Sequence, residues 1–227
     1  MNAMELSIDR GEVLRYLGYR KGQSLRGVEP LLEQAEQILR VTAVPRWVTG
    51  SFDLEKGPCG IGVAGTTLIL TGRDIAAHLN QASRCILLGA TLGGEVERKL
   101  AQLQRTDMAL ALVLDACATT GIESLCDQVE EGLRVRLLER GENLTFRFSP
   151  GYGDLPIELQ PGFLEALNAG RTIGLQVTAS NILTPRKSVT AVMGVLPQGV
   201  RGPSKGCTNC ANFANCPYRK DGITCGF

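Results

Sequence analysis

Residues 107–148 decide the fold class, and they read DMALALVLDACATTGIESLCDQVEEGLRVRLLERGENLTFRF. From 107 to about 139, apolar residues recur at helical spacing, which predicts one long amphipathic helix that ends at Gly141. The apolar positions are Leu110, Leu114, Ala118, Ile122, Leu125, Val129 and Leu133. Leu144, Phe146 and Phe148 then alternate with polar residues, which is the period of a strand.

The segments on either side contain short helices and strands in mixed order. Helices are predicted over 29–39, from the capping-box-like Thr71-x-x-Asp74 to about Gln81, over 95–104 and over 161–168. Strands are predicted over 61–70 and 85–89, and apolar residues alternate again over 173–177 and 189–195. Gly57–Gly60 is typical of a turn. This order favours an α+β fold with a mostly antiparallel sheet over a regular β-α-β array.

Composition excludes several classes of protein. The 227 residues carry 24 Lys+Arg against 23 Asp+Glu, so binding of nucleic acid through bulk charge is excluded. A single His disfavours metal sites built from several imidazoles. No run of 18 apolar residues predicts a membrane span, and the first ten residues do not resemble a signal peptide. We therefore expect a cytoplasmic protein whose eight Cys are thiols or metal ligands.

The common catalytic motifs do not account for this chain. There is no G-x-x-x-x-G-K-[ST] phosphate loop, no G-x-S-x-G elbow and no H-E-x-x-H. The glycines of 88–94 lack the spacing of a dinucleotide-binding loop, which disfavours a Rossmann methyltransferase. His78 has no Cys or Ser partner nearby in sequence, so we expect a surface or rim residue rather than a catalytic base.

The most informative run in the core is Arg147-Phe-Ser-Pro-Gly-Tyr-Gly-Asp154. Strand alternation places Arg147 on the other face of the strand from Phe146 and Phe148. There its guanidinium can donate two hydrogen bonds to a carboxylate. Gly151 and Gly153 allow close approach of backbone to a ligand, and Tyr152 offers a flat ring. Such a loop suits a small zwitterion with a planar group. The alternative is a tight turn with Arg147 in a surface salt bridge.

The R-x-x-P-G-Y pattern of this run resembles the S-adenosylmethionine-binding loop of the reactivation domain of cobalamin-dependent methionine synthase. Residues 183–192 resemble the P-x-x-S-V strand of that domain, and the helix around 118–130 carries Glu123 where the family has a ligand-binding Glu. The resemblance covers roughly 85–196, and more loosely the first third of the chain. It is closest to the free-standing proteins of the family, and it implies a twisted, C-shaped antiparallel sheet flanked by helices.

The resemblance also implies a binding site for S-adenosylmethionine. Arg147 would hold the methionyl carboxylate, and Glu123 would lie beside the ammonium. The adenosine would be framed by backbone groups of Ser149 and Gly151 together with Tyr152. One position departs from the family, because Met193 stands where the family presents a Tyr to the ligand.

The cobalamin is implied to lie on another chain. Corrinoid binding in the parent enzyme uses a D-x-H-x-x-G pattern, whereas the one His here stands in Asp74-Ile-Ala-Ala-His78. The resemblance therefore implies an accessory protein that reactivates a partner methionine synthase core, in methionine biosynthesis, or another corrinoid methyltransferase. A reductase or other low-potential electron donor is a second implied partner, and neither nucleic acid nor membrane is expected.

The last 27 residues change character and form a predicted separate module, which divides the chain into 1–200 and 201–227. Four cysteines there have the spacing C-x2-C-x5-C-x8-C, which is typical of a metal site. Four thiolates suit Zn or an iron–sulfur cluster, and the alternative is four free thiols in a tail. The predicted ligands are Cys207, Cys210, Cys216 and Cys225, with Cys59 as an alternative to the last. Three other cysteines stand in apolar context and are predicted core thiols: Cys85, Cys117 and Cys126.

Two functions from different classes follow. The first is the accessory reactivation protein, which binds S-adenosylmethionine and supports reductive methylation of cob(II)alamin on its partner. The second is an electron carrier or binding module built on the cysteine tail, with the core as scaffold. Only the first predicts affinity for S-adenosylmethionine in the metal-free protein.

Overall fold

The computed structural model describes residues 6–19, 25–200, 202–203 and 214. Its helices are α1 Arg10–Tyr16, α2 Glu29–Thr42, α3 Arg73–His78, α4 Gly94–Thr106, α5 Met108–Leu138, α6 Gln160–Ala166 and α7 Ala169–Thr172. Its strands are β1 Arg46–Gly57, β2 Gly60–Val63, β3 Ile69–Leu70, β4 Arg84–Thr91, β5 Glu142–Leu144, β6 Gln176–Val177, β7 Leu183–Thr184 and β8 Ser188–Pro197.

The larger sheet has the strand order β3-β2-β1-β4-β8-β5, and β6 pairs with β7 separately. The pairs β1·β2, β2·β3, β5·β8 and β6·β7 are antiparallel. The predicted α+β class with a mainly antiparallel sheet and flanking helices is therefore confirmed.

Helix α5 confirms the long periodic segment. Most of its residues are buried, and Gly121 allows tight packing, because a Cβ there would lie 3.4 Å from Leu39 Cδ2 and 3.6 Å from Leu92 Cδ1. Gly141, with a φ of 70°, follows the helix in the conformation that favours glycine. By length and composition α5 is apolar enough to cross a membrane, but 67% of its most apolar window is buried within the protein. That burial is typical of a core helix.

The chain forms two compact units, each assembled from three segments. Unit 1 comprises Met1–Gly50, Leu88–Gly132 and Gln160–Thr190. Unit 2 comprises Ser51–Leu87, Leu133–Leu159 and Ala191–Phe227. The predicted boundary between 1–200 and 201–227 stays a prediction, because nearly all of the tail lies outside the described residues.

The predicted elements over 61–70 and 173–177 differ in the structure. The predicted strand over 61–70 is instead the hairpin of β2 and β3. Gly65, with a φ of 76°, turns the chain there, and the Thr66 hydroxyl donates to the Val63 carbonyl at 2.7 Å. The alternation over 173–177 yields only the two residues of β6, because α7 continues to Thr172.

The strand predicted to run through Phe148 is wrong beyond Leu144. Leu144 pairs with Val195, and the next pair is Phe148 with Val192. The chain advances by four residues from Leu144 to Phe148, while β8 advances by three. One extra residue is therefore inserted, as in a β-bulge. Thr145 is buried while Phe146 and Phe148 are half-buried, which is the reverse of the predicted alternation. We call 145–147 the bulge segment.

Candidate functional site

The segment from Ser149 to Leu155 forms a loop closed by its own backbone. Gly151 N–H donates to the Leu155 carbonyl at 2.8 Å, and Tyr152 N–H donates to the Ser149 carbonyl at 3.0 Å. Gly151 has a φ of 89°, which glycine adopts without strain. Leu155 is buried, whereas the Tyr152 side chain is 64% exposed. The loop therefore presents an aromatic ring on a backbone that is already ordered.

Asp154 fastens this loop to the start of α3. Its carboxylate accepts from Arg73 N–H at 2.5 Å and from Asp74 N–H at 3.0 Å. These are the amide groups that a helix leaves unpaired at its N-terminus, and a carboxylate there also suits the helix dipole. A Cβ on Gly72 would overlap the Asp154 carboxylate, and one on Gly153 would overlap that of Asp74. Glycine at both positions permits this close approach.

This cap replaces the one predicted from sequence. Thr71-x-x-Asp74 predicted a local capping box, but α3 begins after Gly72 and has no side-chain cap from that residue. The carboxylate comes from a residue 80 positions further along the chain, so no local pattern marks it.

His78 lies at the other end of α3 and is buried. The expectation from sequence that it lies at the surface or rim is therefore wrong. Its Nε2 lies 3.0 Å from the Phe146 carbonyl and 2.8 Å from Thr145 Oγ1. Its ring centre lies 4.5 Å from that of Phe146 and 5.2 Å from that of Phe148. Burial lowers the pKa of His78 to about 4, so the imidazole is neutral at pH 7. It supports the bulge segment, and the hydroxyl beside it, Thr145 Oγ1, is buried and accepts from Gly194 N–H at 2.8 Å.

Arg147 sits in the bulge segment and is half-buried. Unit 2 contains Arg147 together with the predicted backbone and ring contacts Ser149, Gly151 and Tyr152, all within six residues of chain. The alternation that placed Arg147 on one face does not hold, so its position depends on the bulge instead. Arg134 fixes the start of this region, because its Nη1 donates to the Leu144 carbonyl at 2.7 Å.

The other predicted contact, Glu123, lies on the exposed side of α5 in unit 1. The segment that resembles the P-x-x-S-V strand begins β8 in the same unit. There the Ser188 hydroxyl lies 2.8 Å from Thr91 Oγ1, and Lys187 Nζ lies 2.8 Å from Asp115 Oδ1. These contacts hold the start of β8, while Glu123 stays a predicted ligand contact.

Met193, at the position where the family presents a Tyr, is fully buried in β8. It therefore packs in the core of unit 2 and offers no surface to a ligand. In the same unit, Phe148 pairs by backbone with Val192, next to Met193, and is only half-buried.

The four tail cysteines predicted as metal ligands lie outside the described residues. Within the described part of the chain, no group of three or more His, Cys, Asp or Glu is placed to hold a metal ion. The prediction that Cys85, Cys117 and Cys126 are core thiols is confirmed, since all three are buried, while Cys59 is exposed. Burial raises the pKa of Cys85 and of Cys117 to about 12, so these two thiols are unreactive at neutral pH.

One motif escaped the sequence analysis. Gly60-Ile-Gly-Val-Ala-Gly65 has the G-x-G-x-x-G spacing of dinucleotide-binding loops. That motif binds a pyrophosphate when it joins a strand to the N-terminus of a helix. Here it forms β2 and the turn into β3, which are antiparallel strands. The structural context that dinucleotide binding needs is therefore missing at these residues.

Comparison with a solved structure supports the fold assignment, whereas no family model matches the chain. Over 148 residues it is 30% identical to a protein named glycerol-3-phosphate dehydrogenase [NAD(P)+] from Cupriavidus metallidurans; the match covers 63% of this chain but only 40% of that protein. The crystal structure of the MetH reactivation domain bound to AdoHcy matches with a TM-score of 0.64 and 17% identity, covering 96% of this chain and 82% of that one. The sequence resemblance to the methionine synthase reactivation domain is thus confirmed as a likeness of fold.

Proposed function

We propose that this chain binds S-adenosylmethionine at the Arg147 loop and supports reductive methylation of cob(II)alamin on a partner protein. One observation carries the proposal. The R-x-x-P-G-Y segment is built as an ordered loop within a fold similar to a reactivation domain whose solved structure contains AdoHcy. The dehydrogenase match supports no competing proposal, because this chain spans less than half of that protein. In addition, the G-x-G-x-x-G motif of this chain lies in the hairpin of β2 and β3.

The described residues suit the ligand. The Arg147 guanidinium is assigned to the methionyl carboxylate, as a charge-assisted pair. Tyr152 offers its exposed ring to the adenine. Since Gly151 N–H and the Ser149 carbonyl already bond within the loop, we assign the ligand contacts to the Gly151 carbonyl and the Ser149 N–H. Glu123 is assigned to the ammonium group.

The proposed reaction needs no nucleophile from this chain. A low-potential donor supplies one electron to Co(II), and the resulting Co(I) electron pair forms a bond to the sulfonium methyl. The carbon–sulfur bond breaks with its electrons left on sulfur, so the products are methyl-Co(III) and S-adenosylhomocysteine. The protein contributes position, by holding the methyl group in line with cobalt. The cobalamin belongs to the partner, since this sequence has no D-x-H-x-x-G, and we place both proteins in the cytoplasm.

The cysteine tail is proposed to hold one metal centre, Zn or an iron–sulfur cluster, through Cys207, Cys210, Cys216 and Cys225. The support is the spacing of the four thiols. Anaerobic purification from cells supplied with both metals, followed by metal analysis and an absorption spectrum, distinguishes the two. Protein that holds neither metal would contradict this part of the proposal.

Ligand binding tests the central part. Calorimetry with S-adenosylhomocysteine compares the wild type with Arg147→Ala, Arg147→Lys and, as a matched control, Arg171→Ala, whose arginine is exposed on α7 in unit 1. A charge-assisted bond contributes about 1.5–3 kcal/mol, so Arg147→Ala should bind roughly ten- to a hundred-fold more weakly. Arg147→Lys should lie between, because it keeps the charge and loses the fork. Equal affinity of wild type and Arg147→Ala would contradict the assignment.

Reactivation is tested with a corrinoid protein in the inactive Co(II) state, a low-potential reductant and S-adenosylmethionine. The cobalamin spectrum is followed with and without this chain. Faster formation of methyl-Co(III) with the chain supports the proposal. If no corrinoid protein of the same organism responds, the electron-carrier hypothesis takes its place.

A further inference from the structure

We propose that His78 and Thr145 are positioning residues for Arg147. Together they hold the backbone of the bulge segment, which carries the Arg147 side chain, in its observed conformation. This rests on the proposed function, in which Arg147 binds the carboxylate of the ligand. His78 is the single histidine of the sequence, and the proposed reaction itself does not use it.

The inserted residue is accommodated by a change in the backbone pairing. In a hydrogen-bonded pair of a regular antiparallel ladder, the two opposed residues exchange both backbone N–H···O bonds. Thr145 and Gly194 make only half of that exchange: Thr145 N–H donates to the Gly194 carbonyl at 2.9 Å. The return bond goes from Gly194 N–H to the Thr145 side-chain hydroxyl at 2.8 Å. The hydroxyl thus takes the place of a backbone carbonyl, and the strand leaves the regular ladder at this residue.

His78 also contacts the carbonyl of the next residue, Phe146. That carbonyl lies 3.0 Å from His78 Nε2, and since a carbonyl only accepts, we assign the hydrogen to Nε2. The same Nε2 lies 2.8 Å from Thr145 Oγ1, so one imidazole contacts both the Phe146 carbonyl and the Thr145 hydroxyl. His78 Nδ1 then carries no hydrogen, and no hydrogen-bond partner for this atom lies among the described residues. The ring is therefore held by its Nε2 contacts and by packing against Phe146.

The Thr145 side chain has little room to move. A Cβ on Gly194 would lie 3.0 Å from Leu79 Cδ2 and 3.4 Å from Thr145 Cγ2. A Cβ on Gly202 would lie 3.1 Å from the same Thr145 methyl. Glycine at both positions lets neighbouring backbone lie close to the Thr145 methyl group, which restricts rotation of this side chain. Arg147 follows two residues later and is followed at once by the Phe148 pairing, so the bulge has fixed ends and a fixed middle.

The experiment uses pairs of variants in the full chain. Thr145→Val removes the hydroxyl at nearly constant shape, and Thr145→Ser keeps it. His78→Leu removes the donor, whereas His78→Gln keeps an N–H at the reach of Nε2. Each variant is titrated with S-adenosylhomocysteine and with 5′-methylthioadenosine, which has the same adenosine and thioether but no carboxylate. Melting temperatures are recorded in parallel, so that loss of fold is seen separately.

If the proposal is right, Thr145→Val and His78→Leu weaken S-adenosylhomocysteine binding by about three- to tenfold, and Thr145→Ser and His78→Gln largely restore it. Binding of 5′-methylthioadenosine stays unchanged. In an Arg147→Ala background, Thr145→Val has no further effect, because its influence passes through Arg147. A purely structural role would weaken both ligands alike or persist without Arg147, and either result overturns the proposal.

Failure of the two proposals can be told apart. If the wild type binds neither ligand, the proposed function is wrong and this inference falls with it. If the wild type binds and Arg147→Ala weakens binding while Thr145→Val and His78→Leu do not, the function stands and the positioning role is wrong.

Discussion

Strands β5 and β8 pair with each other, but they differ in length and regularity. Strand β8 runs regularly for ten residues and is buried from Thr190 to Leu196. Strand β5 keeps the ladder for three residues and then admits an extra one. Four of the five residues assigned to the ligand, Arg147 to Tyr152, follow β5. Met193 of β8, at the position where the family presents a Tyr, is instead buried in the core.

The difference indicates a division of work within one pair of strands. A regular, fully buried strand contributes stability, and its side chains have no access to a ligand. An irregular strand turns polar groups and side chains out of the ladder, and such bulges are frequent beside functional sites. We therefore expect substitutions in β8 to change stability and substitutions around β5 to change binding.

The largest effect is expected from Met193→Ala. Removing a fully buried methionine side chain leaves a cavity, so the free energy of unfolding should fall by about 2–5 kcal/mol. Met108→Ala is the matched control, because that methionine is 56% exposed and should change stability little. Urea unfolding measures both. If Met193→Ala lowers the affinity for S-adenosylhomocysteine while leaving stability unchanged, β8 belongs to the binding site and the division fails.

The next effect is a pH dependence of stability that comes from His78. Its pKa is about 4 in the folded chain and 6.5 in the unfolded one, so the unfolded state binds more protons between these values. The stabilisation is complete above pH 6.5 and is lost as the pH falls to about 4, by roughly 3 kcal/mol. His78→Gln removes this term while keeping a donor to Phe146. If the free energies of unfolding of the wild type and the variant differ by the same amount from pH 7 to pH 4, the imidazole is not buried in its neutral form.

A smaller effect separates the cap on the loop from an ordinary helix cap. Asp154→Ala removes the acceptor of two N-terminal amides of α3 and should cost about 1–2 kcal/mol of unfolding free energy. Asp9→Ala removes a similar cap from α1, where the carboxylate accepts from Gly11 N–H at 2.7 Å, and should cost about 1 kcal/mol. Of the two, only Asp154→Ala should also weaken ligand binding, since Asp154, unlike Asp9, fastens the Tyr152 loop to α3. Equal binding by both variants would show that the loop keeps its shape without the cap.

The sequence predicted what depends on periodicity. Helix α5, strand β4 and the buried character of Cys85, Cys117 and Cys126 follow from runs of apolar residues whose burial does not depend on one contact. The α+β class follows from the order of these elements.

The sequence did not predict what depends on contacts between distant residues. The cap of α3 comes from Asp154, and the bulge depends on the Thr145 hydroxyl meeting Gly194. His78 looked like a surface residue because nothing local shows that Phe146 packs over it. The Arg147 loop was singled out from its own residues, whereas its ligand and the contact of Glu123 came from a resemblance. The structure supports the fold behind that resemblance.

The smallest effect tests whether the loop needs the backbone of glycine. Gly151 has a φ of 89°, so Gly151→Ala must hold an alanine in the left-handed region and should cost about 1 kcal/mol of unfolding free energy. Gly132 provides a control of opposite sign. It lies within α5, and a Cβ added there would meet no neighbouring described residue within 4 Å, so Gly132→Ala should stabilise by about 0.5–1 kcal/mol through helix propensity. Thermal unfolding of the two variants compares the same added methyl in an irregular and a regular backbone. If Gly151→Ala is as stable as the wild type and binds S-adenosylhomocysteine equally well, the loop adapts to its ligand, and the order of its backbone is not what holds Tyr152 in place.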